Sequence, residues 1–157
     1  MTISRPRTCL FRTHQTSLDS SKPNTLIDME MPLRVELTEA AEELLRTLYK
    51  VHGPLMFHQS GGCCDGSSPM CYTAGEFRVG GSDVKLGDLK VAGIQESIGF
   101  WMSASQFEYW KHTHLTVDVV NGRGGGFSLE SPEGKRFLIR SRLFTDQEWA
   151  ILENEPV

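Results

Sequence analysis

Residues 33–54 read LRVELTEAAEELLRTLYKVHGP, and the division of this stretch sets the fold. Leu33, Val35 and Leu37 alternate with Arg34 and Glu36, the period-two pattern of a half-buried strand. Thr38 is a helix-capping residue type, and Glu39, Glu42 and Glu43 suit the positive start of a helix. Ala40, Ala41, Leu44, Leu45 and Leu48 then recur at helical spacing and make one apolar face. Gly53-Pro54 ends the helix with a permissive residue followed by one that lacks an N–H. The opening unit is strand, helix, stop.

Outward from this unit the pattern changes to short apolar runs separated by turn residues. Leu55 to Gln59 reads as a second strand that runs into a Gly-, Ser- and Pro-rich loop over residues 60–71. Glu76 to Val79, Val84 to Leu89, Val91 to Gln95 and Gly99 to Met102 follow as strand candidates. Ser103 with Gln106 forms a capping box for a short helix that turns Phe107 and Trp110 inward. Leu115 to Val120 alternates, Asn121-Gly122 is a hairpin signal, Phe127 to Leu129 continues, and Arg136 to Leu143 is rich in strand formers. Thr145 with Glu148 caps a last helix through Leu152. No helix of a dozen residues separates the later strands, so parallel crossovers have no carrier. The expected class is α+β: a short, mainly antiparallel or barrel-like mixed sheet with an N-terminal helix and two small helices.

A chain of 157 residues, 39% hydrophobic and 23% charged, has room for one domain and is neither fibrous nor disordered as a whole. No apolar run approaches the ~18 residues that a membrane span requires. The first 27 residues carry about +3 and the remainder about -7. The first segment is rich in Ser, Thr and Arg without periodicity, so residues 1–30 read as a disordered or over-extended start, with Met29 and Met31 as alternative initiators, or as a transit peptide. The globular domain is expected over residues 31–157. Its acidic charge, without a basic stripe, excludes nucleic acid as partner. With no apolar signal-peptide core, the four Cys are expected reduced, in the cytoplasm.

Chemistry concentrates in Cys63, Cys64 and Cys71, with His58 just upstream. Thiolate and imidazole are ligands that Zn and Fe accept, and a Gly-rich loop lets them converge. The expected metal ligands are therefore Cys63, Cys64, Cys71 and His58, with Zn, Fe or an iron-sulfur cluster as cofactor. A thiol enzyme is the alternative, in which Cys63 or Cys64 attacks, His58 assists and Cys71 resolves. The bland alternative is that these Cys are small buried hydrophobes. His112 and His114 lie one residue apart, a spacing that on an extended segment turns both imidazoles to one face where they could complete a thiol site; the alternative is a pair of solvated residues after a helix end. Gly122-Arg123-Gly124-Gly125-Gly126 leads into Phe127 rather than a helix, which excludes a dinucleotide phosphate loop. The sequence offers no Ser-His-Asp order and no zincin-type His-Glu pair.

The segment Ser60-Gly61-Gly62-Cys63-Cys64-Asp65-Gly66-Ser67-Ser68-Pro69-Met70-Cys71 resembles the bacterial family known as domain of unknown function 779, over about Leu33 to Leu152 and including Gly124-Gly125-Gly126-Phe127. Members of that family are commonly encoded beside aldehyde dehydrogenases. The resemblance therefore implies an accessory part in aldehyde or alcohol oxidation and an aldehyde dehydrogenase as partner, or a pure interaction module for one; a homodimer is also compatible with it. More distantly, Leu37-Thr38-Glu39-Ala40-Ala41, Gly61-Gly62-Cys63 and the later glycine-rich segment before Phe127 resemble the HesB-like A-type iron-sulfur carriers. Cys63 matches the first carrier cysteine. The carriers' C-terminal C-x-C pair has no counterpart around Ser141, so their three-Cys site is not reproduced and Cys64 and Cys71 are the candidates to replace it.

Overall fold

The computed structural model describes residues 30–60, 68–124 and 126–155. The expectations for the N-terminal segment, and for Cys63 and Cys64, lie outside the described residues. Among the described residues seven strands and three α-helices follow in the order β1 (Val35–Leu37), α1 (Glu39–His52), β2 (Leu55–Gln59), β3 (Met70–Thr73), β4 (Asp83–Leu89), β5 (Ile98–Ser103), α2 (Ala104–Trp110), β6 (Thr113–Asn121), β7 (Lys135–Leu143) and α3 (Asp146–Leu152). The class is α+β, as expected. The strands form two sheets, ordered β1-β6-β7 and β3-β2-β5-β4.

Neither sheet closes into a barrel, and both are mixed. β1 runs parallel to β6 and β2 parallel to β5, while β2–β3, β4–β5 and β6–β7 pair antiparallel. The parallel pairs correct the expectation that such pairing needs a helical carrier. Between β2 and β5 the chain returns through β3 and β4, so strands make the crossover.

α1 forms where the capping signals place it. The Thr38 side chain accepts from the Ala41 N–H at 3.3 Å, and Gly53, at φ 75°, closes the last turn by donating its N–H to the Tyr49 carbonyl at 2.8 Å. Ala41, Leu45 and Leu48 are buried, and Leu44 packs half-buried against the core. The Thr38 hydroxyl also donates to Asp118 of β6 at 2.9 Å, and Asp118 accepts from the Arg140 Nε of β7 at 2.6 Å and from the Val119 N–H at 2.8 Å. These bonds and the ion pair hold the Asp118 carboxyl below its ordinary range.

The core lies between the sheets. Phe57 of β2 meets Phe137 of β7 edge-on at 5.0 Å and 90°, and Phe100 of β5 at 5.7 Å. Burying one such ring contributes about 2–3 kcal/mol, with roughly 1 more for the edge-on geometry.

Several short runs expected as strands are turns. Residues 76–79 and 91–95 contribute single apolar side chains, such as the buried Val91, without a ladder. Asn121-Gly122 does not make a two-residue hairpin: β6 and β7 are joined by residues 122–134, and Phe127, expected in a strand, is 87% exposed in a turn. Leu33 is likewise exposed ahead of β1. α3 has the reciprocal capping box expected of Thr145 and Glu148. Among the described residues no helix is long and apolar enough to cross a membrane.

Thr38→Ala removes both the helix cap and one donor to Asp118. It should lower the unfolding free energy by about 1–2 kcal/mol, read as a shifted urea midpoint at unchanged slope; an unshifted midpoint would show that the cap is dispensable.

Candidate functional site

Strand alternation and register decide which of the sequence-nominated residues meet. Phe57 is directly opposite Cys71, and His58 directly opposite Met70. Opposed residues share a face and successive residues do not. Cys71 therefore lies with Phe57 in the core, completely buried, while His58 lies on the other face. The structure does not bring Cys71 and His58 together.

The surroundings of Cys71 are those of a neutral thiol. Its N–H donates to the Ser128 hydroxyl at 2.9 Å, its carbonyl accepts from the Leu129 N–H at 3.1 Å, and the Ser128 hydroxyl donates to the buried Glu130 carboxylate. Burial, with a smaller effect from the nearby Glu130 charge, pushes the Cys71 thiol well above its ordinary value. Burial likewise raises the Glu130 carboxyl. Gly124 packs closely here: a Cβ at that position would lie 2.7 Å from Ser131 Oγ and 2.8 Å from Glu130 Oε1 and would displace those side chains.

His58 occupies a different setting, at the edge where β2 ends. Its Nε2 is 2.9 Å from Asp83 Oδ1 and its Nδ1 is 3.0 Å from the hydroxyl of Ser60, which is exposed. The imidazole is buried beneath Phe77 at a ring separation of 4.2 Å, and Tyr72 stacks on Phe77 at 5.0 Å. Asp83 also accepts the Gly80 N–H at 2.7 Å, and that bond, then the one from His58, holds its carboxyl below the ordinary range. Ser60 opens the segment that carries Cys63 and Cys64. At the other end of that segment the Ser68 hydroxyl accepts from Arg136 Nη2 at 2.7 Å and Nε at 3.1 Å. Both flanks are thus fixed by side chains of the sheets.

His114 belongs to β6 of the other sheet and His112 to the turn just before it, and both have partners of their own. His112, exposed, lies against Trp149 at 4.3 Å. His114 is buried, edge-on to Phe144 at 6.1 Å, with Nε2 3.6 Å from Glu36 Oε2, and burial lowers its basicity. Among the described residues no group of three or more His, Cys, Asp and Glu side chains is placed to hold a metal ion. Ser60, Asp83 and Phe77 are the site residues that sequence reasoning missed. Asp83 is 25 residues from His58, and no local signal connects the two.

The architecture defines a small α+β protein of two mixed sheets with a polar relay where β2 ends. The chain belongs to the family described as Domain of unknown function (DUF779), whose model matches residues 44–143. No curated protein matches the chain.

Two measurements follow from these environments. Mapped alkylation at mildly alkaline pH should label Cys71 at least about tenfold more slowly in the folded than in the urea-unfolded protein, since only the thiolate reacts; equal rates would contradict its burial. Asp83, with its folded-state pKa depressed, stabilises the fold above its unfolded value near 3.8, and that contribution disappears as the pH falls through the folded-state value. The stability lost in Asp83→Asn should therefore be complete at pH 7 and vanish at low acid pH in paired denaturation curves. A difference that persists unchanged in acid would mean that the carboxylate charge is not its source.

Proposed function

We infer that this chain is an accessory protein of aldehyde or alcohol oxidation that handles aldehyde through the thiol of Cys63 or Cys64. The observation that carries the reading is the setting of the other two nominated ligands: Cys71 is in the core as a neutral thiol, and His58 is tied to the Asp83 carboxylate through Nε2, which leaves Nδ1, on the exposed Ser60 hydroxyl, as the nitrogen that accepts a proton. The adjacent thiols are thereby favoured as nucleophiles over members of a four-ligand metal set. A buried imidazole backed by a carboxylate, three residues before Gly61 in the segment that leads to Cys63, is the kind of base that activates a thiol.

The chemistry needs no oxidant. The thiol sulfur adds to the aldehyde carbon, His58 takes the thiol proton and returns it to the carbonyl oxygen, and a hemithioacetal results. Reversal releases the aldehyde to a dehydrogenase, the partner that the family resemblance implies. A reducing cytoplasm is the matching setting, because it keeps both residues as thiols. The HesB-like likeness belongs to this reading as a statement about architecture, since Ser141 and its neighbours lack the carriers' thiols.

The test is carbon-13 NMR with labelled acetaldehyde, alongside metal analysis of untagged protein. A protein-bound hemithioacetal signal is expected, absent from the Cys63→Ala/Cys64→Ala double variant and exchanging about a hundredfold more slowly in His58→Gln. No signal, together with stoichiometric Zn or Fe that is lost from the double variant, would overturn the thiol reading in favour of a metal site.

A further inference from the structure

The exposed Ser60 hydroxyl, the buried His58 imidazole and the Asp83 carboxylate form one hydrogen-bonded series, at 3.0 and 2.9 Å, and we propose that Ser60 is itself a nucleophile for acyl transfer from esters of small carboxylic acids. A serine hydroxyl is inert at neutral pH unless a base accepts its proton as it attacks, and the base works best when a third group fixes its tautomer and orientation. All three roles are filled by described residues. Ser60 is the group open to solvent. His58 presents Nδ1 to it and is locked by Asp83 through Nε2 and by Phe77 across its ring face. Asp83 is itself anchored by the Gly80 N–H at 2.7 Å.

This constellation is invisible in chain order, because the serine follows the histidine by two residues, one position beyond the end of β2, and its hydroxyl comes back onto the His58 ring. The aspartate arrives from β4, whose first residue lies opposite Ser103 at the end of β5. The reaction balances without a further component. Ser60 Oγ bonds to the ester carbonyl carbon as its proton passes to His58 Nδ1. The C–O bond to the leaving alcohol then breaks, and that alcohol leaves with the same proton. Water, deprotonated by His58, cleaves the acyl-serine, giving the free acid and restoring Ser60. The half-buried Phe77, with Tyr72 stacked on it, gives the imidazole an apolar flank that suits a short acyl group.

The inference shares the base His58 with the aldehyde-handling reading but uses a different nucleophile, which separates the two experimentally. The whole chain is incubated with p-nitrophenyl acetate and the site of acetylation mapped by peptide mass spectrometry. The expected result is one acetyl group on Ser60 and p-nitrophenolate release that falls about a hundredfold or more in Ser60→Ala and in His58→Gln. Release should persist in the Cys63→Ala/Cys64→Ala double variant, whatever becomes of its aldehyde adduct. Asp83 is a positioning residue: Asp83→Asn should slow acetylation with little change in the concentration dependence, and Asp83→Glu should recover part of the rate. Because Ser60 is exposed, Ser60→Ala should fold normally, with an unchanged urea midpoint. Acetyl groups found only on cysteine, lysine or the chain terminus, or release unchanged in Ser60→Ala, would overturn the proposal. Neither outcome would touch the thiol reading.

Discussion

The edge-on contact between Phe57 and Phe137 organises the site, because it joins the two sheets at the strand that carries His58, while β1 packs against β4 elsewhere along the seam. Phe57 belongs to β2, at the centre of the four-stranded sheet, and Phe137 to β7, at the rim of the three-stranded one. Once Phe57 is turned inward, the pleat turns His58 outward, beneath Phe77 and within reach of Asp83. The same register draws Cys71 inward, since it pairs opposite Phe57. A hydrophobic contact thereby assigns two chemically capable residues to opposite faces of one hairpin: the thiol becomes packing, and the imidazole becomes available for proton transfer.

Local signals in the sequence were read well where they are self-sufficient. Thr38, the run of early glutamates and Gly53 specify α1 within one stretch of chain, and Thr145 with Glu148 does the same for α3. β6 is recognisable by alternation, and β5 as a short apolar run. Short apolar runs were not so secure, because a single buried Val91 in a turn looks like the start of a strand until its neighbours are seen to lack ladder partners. The length of the β6–β7 connection was missed for a related reason. Asn121-Gly122 is a strong hairpin signal, but the chain instead sends residues 122–134 across to β3, where Ser128 and Leu129 bond Cys71.

The site was legible only in part. His58 could be nominated from its place at a strand end, and clustering drew attention to the Cys-rich segment that follows. What could not be read is pairing between distant segments. Asp83 meets His58 only because β4 joins the far edge of β5, which runs parallel to β2. That parallel pair was itself unexpected, since the sequence contains no helix to carry it. Cys71, three residues after Ser68 in a polar stretch, looked like a loop thiol; its burial follows from register, which has no local signature.

Asp118 gives the fold a property that no single element has. One carboxylate accepts from the Thr38 cap of α1, from the backbone of β6 and from Arg140 of β7. The first turn of the helix and the middle of the outer strand therefore share an anchor, although more than a hundred residues of sequence separate Thr38 from Arg140. If β7 peels away, the carboxylate loses its cation and its hold on the cap weakens; if the helix start frays, the carboxylate loses a donor and the strand's ion pair is less well oriented. Chain segments that would otherwise open independently are tied into a single cooperative unit, so the molecule's weakest point is moved away from both of its sequence-distant edges.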